Sequence, residues 1–238
     1  METIKNKNVL LVGATGGIGS KTAKLLSGNG ANLFLVSKSS IKLASLAEEL
    51  KIPRERTFAL DISSPEEVSV LKDRFFSQFP VIDVLINAAG IGIIKPLETI
   101  SDAEFLRTLN YNLYGPFLLL KAFIPAMKET KKGLVIHIPG ILGKVPMSGA
   151  AAYCASKYGL TGMMQSIREE VKRTEIRITN LFLGGVDTPF WDSIEMRVQR
   201  EKMVLADEAA KAIWFLCQQP VSGVVNEMVV QPFNHQVI

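Results

Sequence analysis

Apolar positions along this chain fall into two kinds of run. Short, nearly continuous apolar stretches occupy residues 9–12, 33–36, 57–60, 84–86, 134–138, 176–182 and 224–230. They are rich in Val, Ile, Leu and Phe and barely alternate with polar residues, the pattern of strands buried on both faces. Between them, longer segments carry apolar residues at helical spacing and predict helices over 17–27, 41–50, 65–78, 102–128, 151–172 and 207–218. Pro65 behind Ser64 is a helix start signal: the ring sets φ, and its missing N–H would have had no partner in the first turn. Strand alternating with helix predicts an α/β fold, a doubly wound parallel sheet of about seven strands with helices on both faces. Residues 1–238 are read as a single domain, with no repeat and no linker. Ligands of such sheets bind beyond the carboxyl ends of the strands, so the loops at 139–149 and 184–189 are expected to wall a site.

Composition narrows the class. Hydrophobic residues make up 47% of the 238, enough for a sizeable core, and 21% charged residues argue against disorder. The net charge of +4 is spread thinly, and the densest basic cluster, 128–132, reads as a helix end and not a nucleic-acid surface. The two cysteines, Cys154 and Cys217, and the two histidines, His137 and His235, form no ligand spacing, so neither a metal nor a disulfide framework is expected. The apolar run at 9–12 is too short for a signal peptide or a membrane span. These features predict a cytoplasmic protein with no membrane or nucleic-acid partner.

Candidate chemistry begins where the first strand ends. Gly13-Ala14-Thr15-Gly16-Gly17-Ile18-Gly19 joins that strand to the first helix. Gly13 permits a tight turn, Gly17 lets backbone approach a pyrophosphate, and Gly19 lets helix and strand pack closely. The helix N-terminus then presents unpaired N–H groups to phosphate, which makes this a Rossmann-type dinucleotide site. The second strand runs into Ser37-Lys38-Ser39-Ser40 with no carboxylate to bind the adenosine ribose hydroxyls. A charge-assisted bond from Lys38 to a 2′-phosphate would contribute about 1.5–3 kcal/mol. NADP(H) is therefore the expected cofactor, with NAD the second choice. Further along, Tyr153 and Lys157 stand four residues apart in a predicted helix and share one face. A free phenol has a pKa of about 10, and a neighbouring ammonium favours its ionised form, so the pair suits a proton donor and its tuner.

Together these motifs resemble the short-chain dehydrogenase/reductase family, with every element in family order and nearly the whole chain covered. Gly13, Gly17 and Gly19 match its Thr-Gly-xxx-Gly-x-Gly loop, with Val12 in place of the threonine. Asn87-Ala88-Ala89-Gly90 is similar to its Asn-Asn-Ala-Gly, Asn112 to its helix asparagine, and Tyr153 and Lys157 to its Tyr-xxx-Lys. The segment 180–189 resembles its Pro-Gly-x-x-Thr loop, with Gly184 where the proline would be and Thr188 retained. The resemblance implies cofactor contacts from Gly13, Thr15, Gly17, Ile18, Gly19, Ser37, Lys38, Asn87, Ala88, Gly90, Val186 and Thr188. It implies that Asp61 and Ile62 touch the adenine, although Asp61 reads equally well as a strand-end cap. By the same resemblance Tyr153 donates the proton, Lys157 also binds the nicotinamide ribose, and Asn112 holds a water that relays protons from Lys157.

One family group is missing. The catalytic serine should follow the fifth strand, and that position holds Gly140, with no Ser or Thr between 133 and 147. Losing one donor to a developing oxyanion costs about 10²–10³ in rate. The residues expected to rim a substrate are apolar: Ile91, Ile93, Ile94, Val145, Met147, Phe190, Trp191 and Met196. The sequence thus predicts a reductase of a small, largely apolar carbonyl or the reverse dehydrogenase, slowed by Gly140. The departures at Gly140, Gly184 and Ala88 leave a second reading open, a dinucleotide-binding sensor or scaffold with little catalysis. The resemblance further implies a homodimer or homotetramer built through the helices at 102–128 and 151–172.

Overall fold

In the computed structural model, which describes residues 3–220 and 222–234, the apolar runs line up side by side as one parallel sheet. Its strands are β1 (Asn8–Val12), β2 (Asn32–Ser37), β3 (Thr57–Ala59), β4 (Val84–Asn87), β5 (Lys132–His137), β6 (Glu175–Leu183) and, last in the chain, β9 (Glu227–Val230). They lie in the order β3-β2-β1-β4-β5-β6-β9, every neighbouring pair parallel. The order reverses between β1 and β4, so the crevice for a ligand opens beyond Val12 and Asn87. A two-stranded ladder absent from the sequence reading, β7 (Val186–Asp187) with β8 (Val204–Leu205), brackets the segment after β6.

The helices are α1 (Gly17–Gly28), α2 (Ser40–Glu49), α3 (Pro65–Gln78), α4 (Asp102–Leu109), α5 (Gly115–Thr130), α6 (Ala151–Val171) and α7 (Ala206–Leu216). Strand residues alternate between two cores. Leu10, Val12, Leu85, Val135 and Ile178 face α3, α5 and α6, where Phe75 and Phe123 meet edge to face. Val9, Leu11, Ile86, Ile136 and Leu181 face α1 and α7. Burial on both faces is why the strands read as continuous apolar runs. Ser64 caps α3 by accepting from the Glu67 N–H, with Pro65 at its first position.

The expected single helix over 102–128 is divided. One wide π turn, Asn110–Tyr114, separates α4 from α5, and the Gly115 N–H reaches back to the Asn110 carbonyl. Pro116 follows and has no N–H to give to residue 112, so the ordinary i→i−4 ladder cannot run through Asn112. A surface groove of about 760 Å³ lies between α2 and the edge strand β3, lined by residues such as Ile41, Phe58 and Arg74; it shares none of the predicted site residues.

Candidate active site

The glycine loop is built by close approach. Gly13 has φ +81°, and a β-carbon on it would come within 2.6 Å of the Ala89 N, so the loop and the segment after β4 are nested backbone to backbone. A β-carbon on Gly19 would strike the Gly13 carbonyl at 2.0 Å. Gly17 meets a side chain: Thr188, from the far side of the crevice, would lie 2.5 Å from its β-carbon. Gly16 caps α1 with no side chain, and the first turn carries no acidic residue, so the positive end of the helix stays open to an anion. Ile18 packs against the α1–α7 core, while Val186 and Thr188 are buried.

At the end of β2 the hydroxyls of Thr15 and Ser37 are hydrogen-bonded to each other. Lys38 is already engaged: its ammonium lies 2.8 Å from the Asp61 carboxylate and 5.8 Å from the centre of the Tyr111 ring. Partial burial would raise the Asp61 pKa, but the bonds from Lys38 and Ser63 outweigh it and hold the carboxyl down at about 2. Asp61 is thus an ion-pair partner as well as a strand-end acceptor. Ile62 is buried in the core against Gly115, which leaves only its backbone for a nucleotide.

Asn87, at the switch point, accepts from the Ala89 N–H through Oδ1 at 3.1 Å, while the Ala88 N–H donates to the Val12 carbonyl at 2.9 Å. Gly90 is where the catalytic candidates meet. A β-carbon there would sit 3.4 Å from Lys157 Nζ and 3.5 Å from Asn112 Oδ1. Lys157 is 3% exposed, donates to the Ile138 carbonyl at 3.3 Å and holds its ammonium 5.4 Å from the centre of the Tyr153 ring. Burial lowers the Lys157 pKa to about 8. The sequence reading has Lys157 lowering the Tyr153 pKa; in this structure burial, helped by Cys154, pushes the phenol well above its usual value. Tyr153 is thereby kept in the protonated form that a donor requires.

Asn112 is fixed through its side chain. Its Oδ1 accepts from the Ile91 N–H at 2.9 Å, its Nδ2 donates to the Ile91 carbonyl at 2.9 Å, and Nδ2 also reaches Ser156 Oγ at 3.2 Å. The carboxamide is spent on fixing the loop after β4. Ser156, which donates to the Tyr153 carbonyl at 2.7 Å, is a member of this network that spacing alone did not single out.

Gly140 has φ +71° and ψ 170°. That region is essentially closed to residues with a β-carbon, although the nearest atom to one would be the Leu183 carbonyl oxygen at a comfortable 3.6 Å. Opposite, the segment after β7 folds down over the site. The Phe190 ring lies 6.0 Å from the Tyr153 ring and covers Gly92, where a β-carbon would be 2.3 Å away. Trp191 Nε1 donates to the Val186 carbonyl, and Arg200 pairs with both Asp187 and Asp192 at 2.6 and 2.7 Å. Ile91, Ile93, Ile94, Val145 and Met147 are half-buried, whereas Met196 is exposed.

A short chain dehydrogenase family model matches residues 7–199. The chain belongs to the short-chain dehydrogenase/reductase family. An uncharacterised oxidoreductase of Staphylococcus saprophyticus is 30% identical over 246 residues, covering 100% of both chains. Among solved structures, an alcohol dehydrogenase from the archaeon Thermococcus sibiricus, complexed with 5-hydroxy-NADP, superposes with a TM-score of 0.88 at 27% identity, covering 98% of this chain and 99% of its own. A metagenomic short-chain oxidoreductase in complex with NADP gives 0.82 at 29% identity, covering 97% and 99%. Family membership makes the chain an oxidoreductase by lineage. Among the described residues no helix is long and apolar enough to cross a membrane.

Proposed function

We propose that this protein is an NADP(H)-dependent oxidoreductase that interconverts a carbonyl and an alcohol on a small, largely apolar substrate. The observation that carries the reading is the meeting of Tyr153, Lys157 and Gly90 at the switch point, beside the open N-terminus of α1. The glycine loop fits a dinucleotide, since its three close approaches leave no room for any side chain at Gly13, Gly17 or Gly19. When bound, the nicotinamide supplies or takes the hydride. Tyr153 gives a proton to the substrate oxygen, or removes it in the oxidative direction. Lys157 favours the negative charge that this transfer leaves on the phenol, and the family likeness gives it the nicotinamide ribose as well. Asn112 holds Ile91 and so the near wall of the crevice. With Gly140 in place of a hydroxyl, the oxygen receives one direct side-chain donor, and slow turnover is the expectation. NADPH consumption across a panel of carbonyl compounds tests the reading. Tight cofactor binding with no turnover of any of them would favour the sensor or scaffold instead.

Cofactor preference rests on Lys38 and the missing acid after β2. NADPH should bind about tenfold more tightly than NADH, the lower end for a charge-assisted bond because Lys38 is 64% exposed and screened. Lys38→Ala should narrow the gap. Asp61→Asn should widen it, because it frees Lys38 and removes a carboxylate that opposes a 2′-phosphate. Equal affinities in the unmodified protein would sink this assignment.

We also read the chain as a homodimer or homotetramer. Phe105, Leu106, Tyr114, Phe117 and Tyr158 are exposed on the helices 102–130 and 151–171, where Tyr114 stacks on Phe117, and covering them supports the reading. Sedimentation showing only monomer at micromolar concentration would overturn it. The free thiols Cys154 and Cys217 fit a reducing, cytoplasmic setting.

A further inference from the structure

A row of buried polar side chains crosses three strands, at the ends of β4 and β5 and level with them on β6. Asn87 of β4 pairs in register with His137 of β5, and His137 with Asn180 of β6. All three are interior, 2%, 0% and 0% exposed. Two residues earlier on β5 and β6, Val135 and Ile178 face the core under α5 and α6, so by strand alternation the row faces that side too. Lys157 is on this side: it donates to the carbonyl of Ile138, next to His137.

The hydrogen bonds fix which atom of His137 carries its proton. Asn87 Oδ1 already accepts from the Ala89 N–H, so its Nδ2 is the group 3.4 Å from His137 Nδ1. Nδ1 must therefore accept, and a neutral imidazole then bears its hydrogen on Nε2. Burial, with the Lys157 charge adding to it, lowers the His137 pKa to about 3, consistent with a neutral ring. Yet Nε2 has no protein acceptor, and neither Nδ2 nor Oδ1 of Asn180 has a protein partner. Three such atoms on adjacent strands at one level of the sheet form a donor and a carboxamide facing the same interior space. Native cores rarely leave even one such group unmatched, and ordered water is the usual partner.

We propose that His137 and Asn180 bind an internal water, and that the resulting ladder Asn87–His137–water–Asn180 braces the loop after β4 from beneath. The water accepts from His137 Nε2–H and hydrogen-bonds the Asn180 carboxamide. His137 is a positioning residue: through Asn87 it holds the stretch 87–90 that flanks Gly13 and Lys157.

The test begins on the unmodified full chain. Nitrogen-15 NMR at neutral pH should report the Nε2–H tautomer, and magnetic relaxation dispersion should detect a long-lived internal water that disappears in Asn180→Leu. Asn180→Leu and His137→Phe, which keep the branched or ring shape, add some bulk and remove the polar atoms, should each lower Tm. His137→Phe should also weaken NADPH binding several-fold, because Asn87 loses its acceptor. The NMR, water and Tm readouts do not depend on the cofactor assignment, so they separate a failure here from a failure of the proposed activity. A rise in Tm for Asn180→Leu would mean a dry, unpaired carboxamide, whose removal is favourable. That result, an Nδ1–H tautomer, or a direct His137–Asn180 bond with no long-lived water would overturn the proposal.

Discussion

Turnover of any accepted carbonyl falls by about 10²–10⁴ in Tyr153→Phe, the usual contribution of a positioned general acid, while NADPH affinity stays nearly unchanged. The ring remains against Phe190, so packing is kept and only the hydroxyl is lost. The same site sets a pH dependence. Lys157 titrates at about 8, so the reductive rate should fall as pH rises through that value and its charge is lost. The stability linkage of the same lysine has the opposite sign. The lysine's folded pKa is depressed below its unfolded value of about 10.4, so the unfolded state binds more protons between the two, and this group's contribution to stability rises with pH across that window. A pH–rate profile measured alongside Tm checks both. If Tyr153→Phe keeps most of the activity, another group supplies the proton and the mechanism is wrong.

Gly140→Ser loses stability and gains no rate. From sequence alone the substitution looks like the return of a missing donor, worth up to 10²–10³ in kcat. The backbone at φ +71° and ψ 170° changes that expectation. Holding a side-chain-bearing residue there costs about 1–3 kcal/mol, and in a domain of this size each kcal/mol lowers Tm by about 2–4 °C. Contact is not the obstacle, since a β-carbon would have 3.6 Å to its nearest neighbour. Gly140→Ala should therefore lower Tm about as much as Gly140→Ser, and neither should raise kcat. Thermal melts and kinetics on both variants decide it. A stable serine variant with a large gain in kcat would mean that the loop relaxes into a different conformation that aims the new hydroxyl at the substrate oxygen.

The strands, the helices and the chemical pair were legible because they rest on local rules. Short apolar runs set between helical stretches read as strands covered on both faces, and the start of α3 follows from Ser64 and Pro65 alone. The glycine loop declares itself because only glycine fits such approaches, and Tyr153 and Lys157 because four residues make one helical turn. What the linear sequence left open depends on partners far away along the chain. Pro116 was visible, but its effect, a π turn that divides the long helix at Asn112, depends on how α4 and α5 pack. Lys38 read as a free cation because nothing local tells that the end of β3 brings Asp61 to 2.8 Å from it. Nothing local tells that the Asn112 carboxamide meets the backbone of Ile91 from both sides. The phenol of Tyr153 read as lowered by its neighbouring ammonium, whereas desolvation within the fold raises it. Periodicity reports which face of an element is apolar. Which groups meet across elements, and how dry that meeting is, follows from strand register and loop closure, and these set the charges and hydrogen bonds of the site.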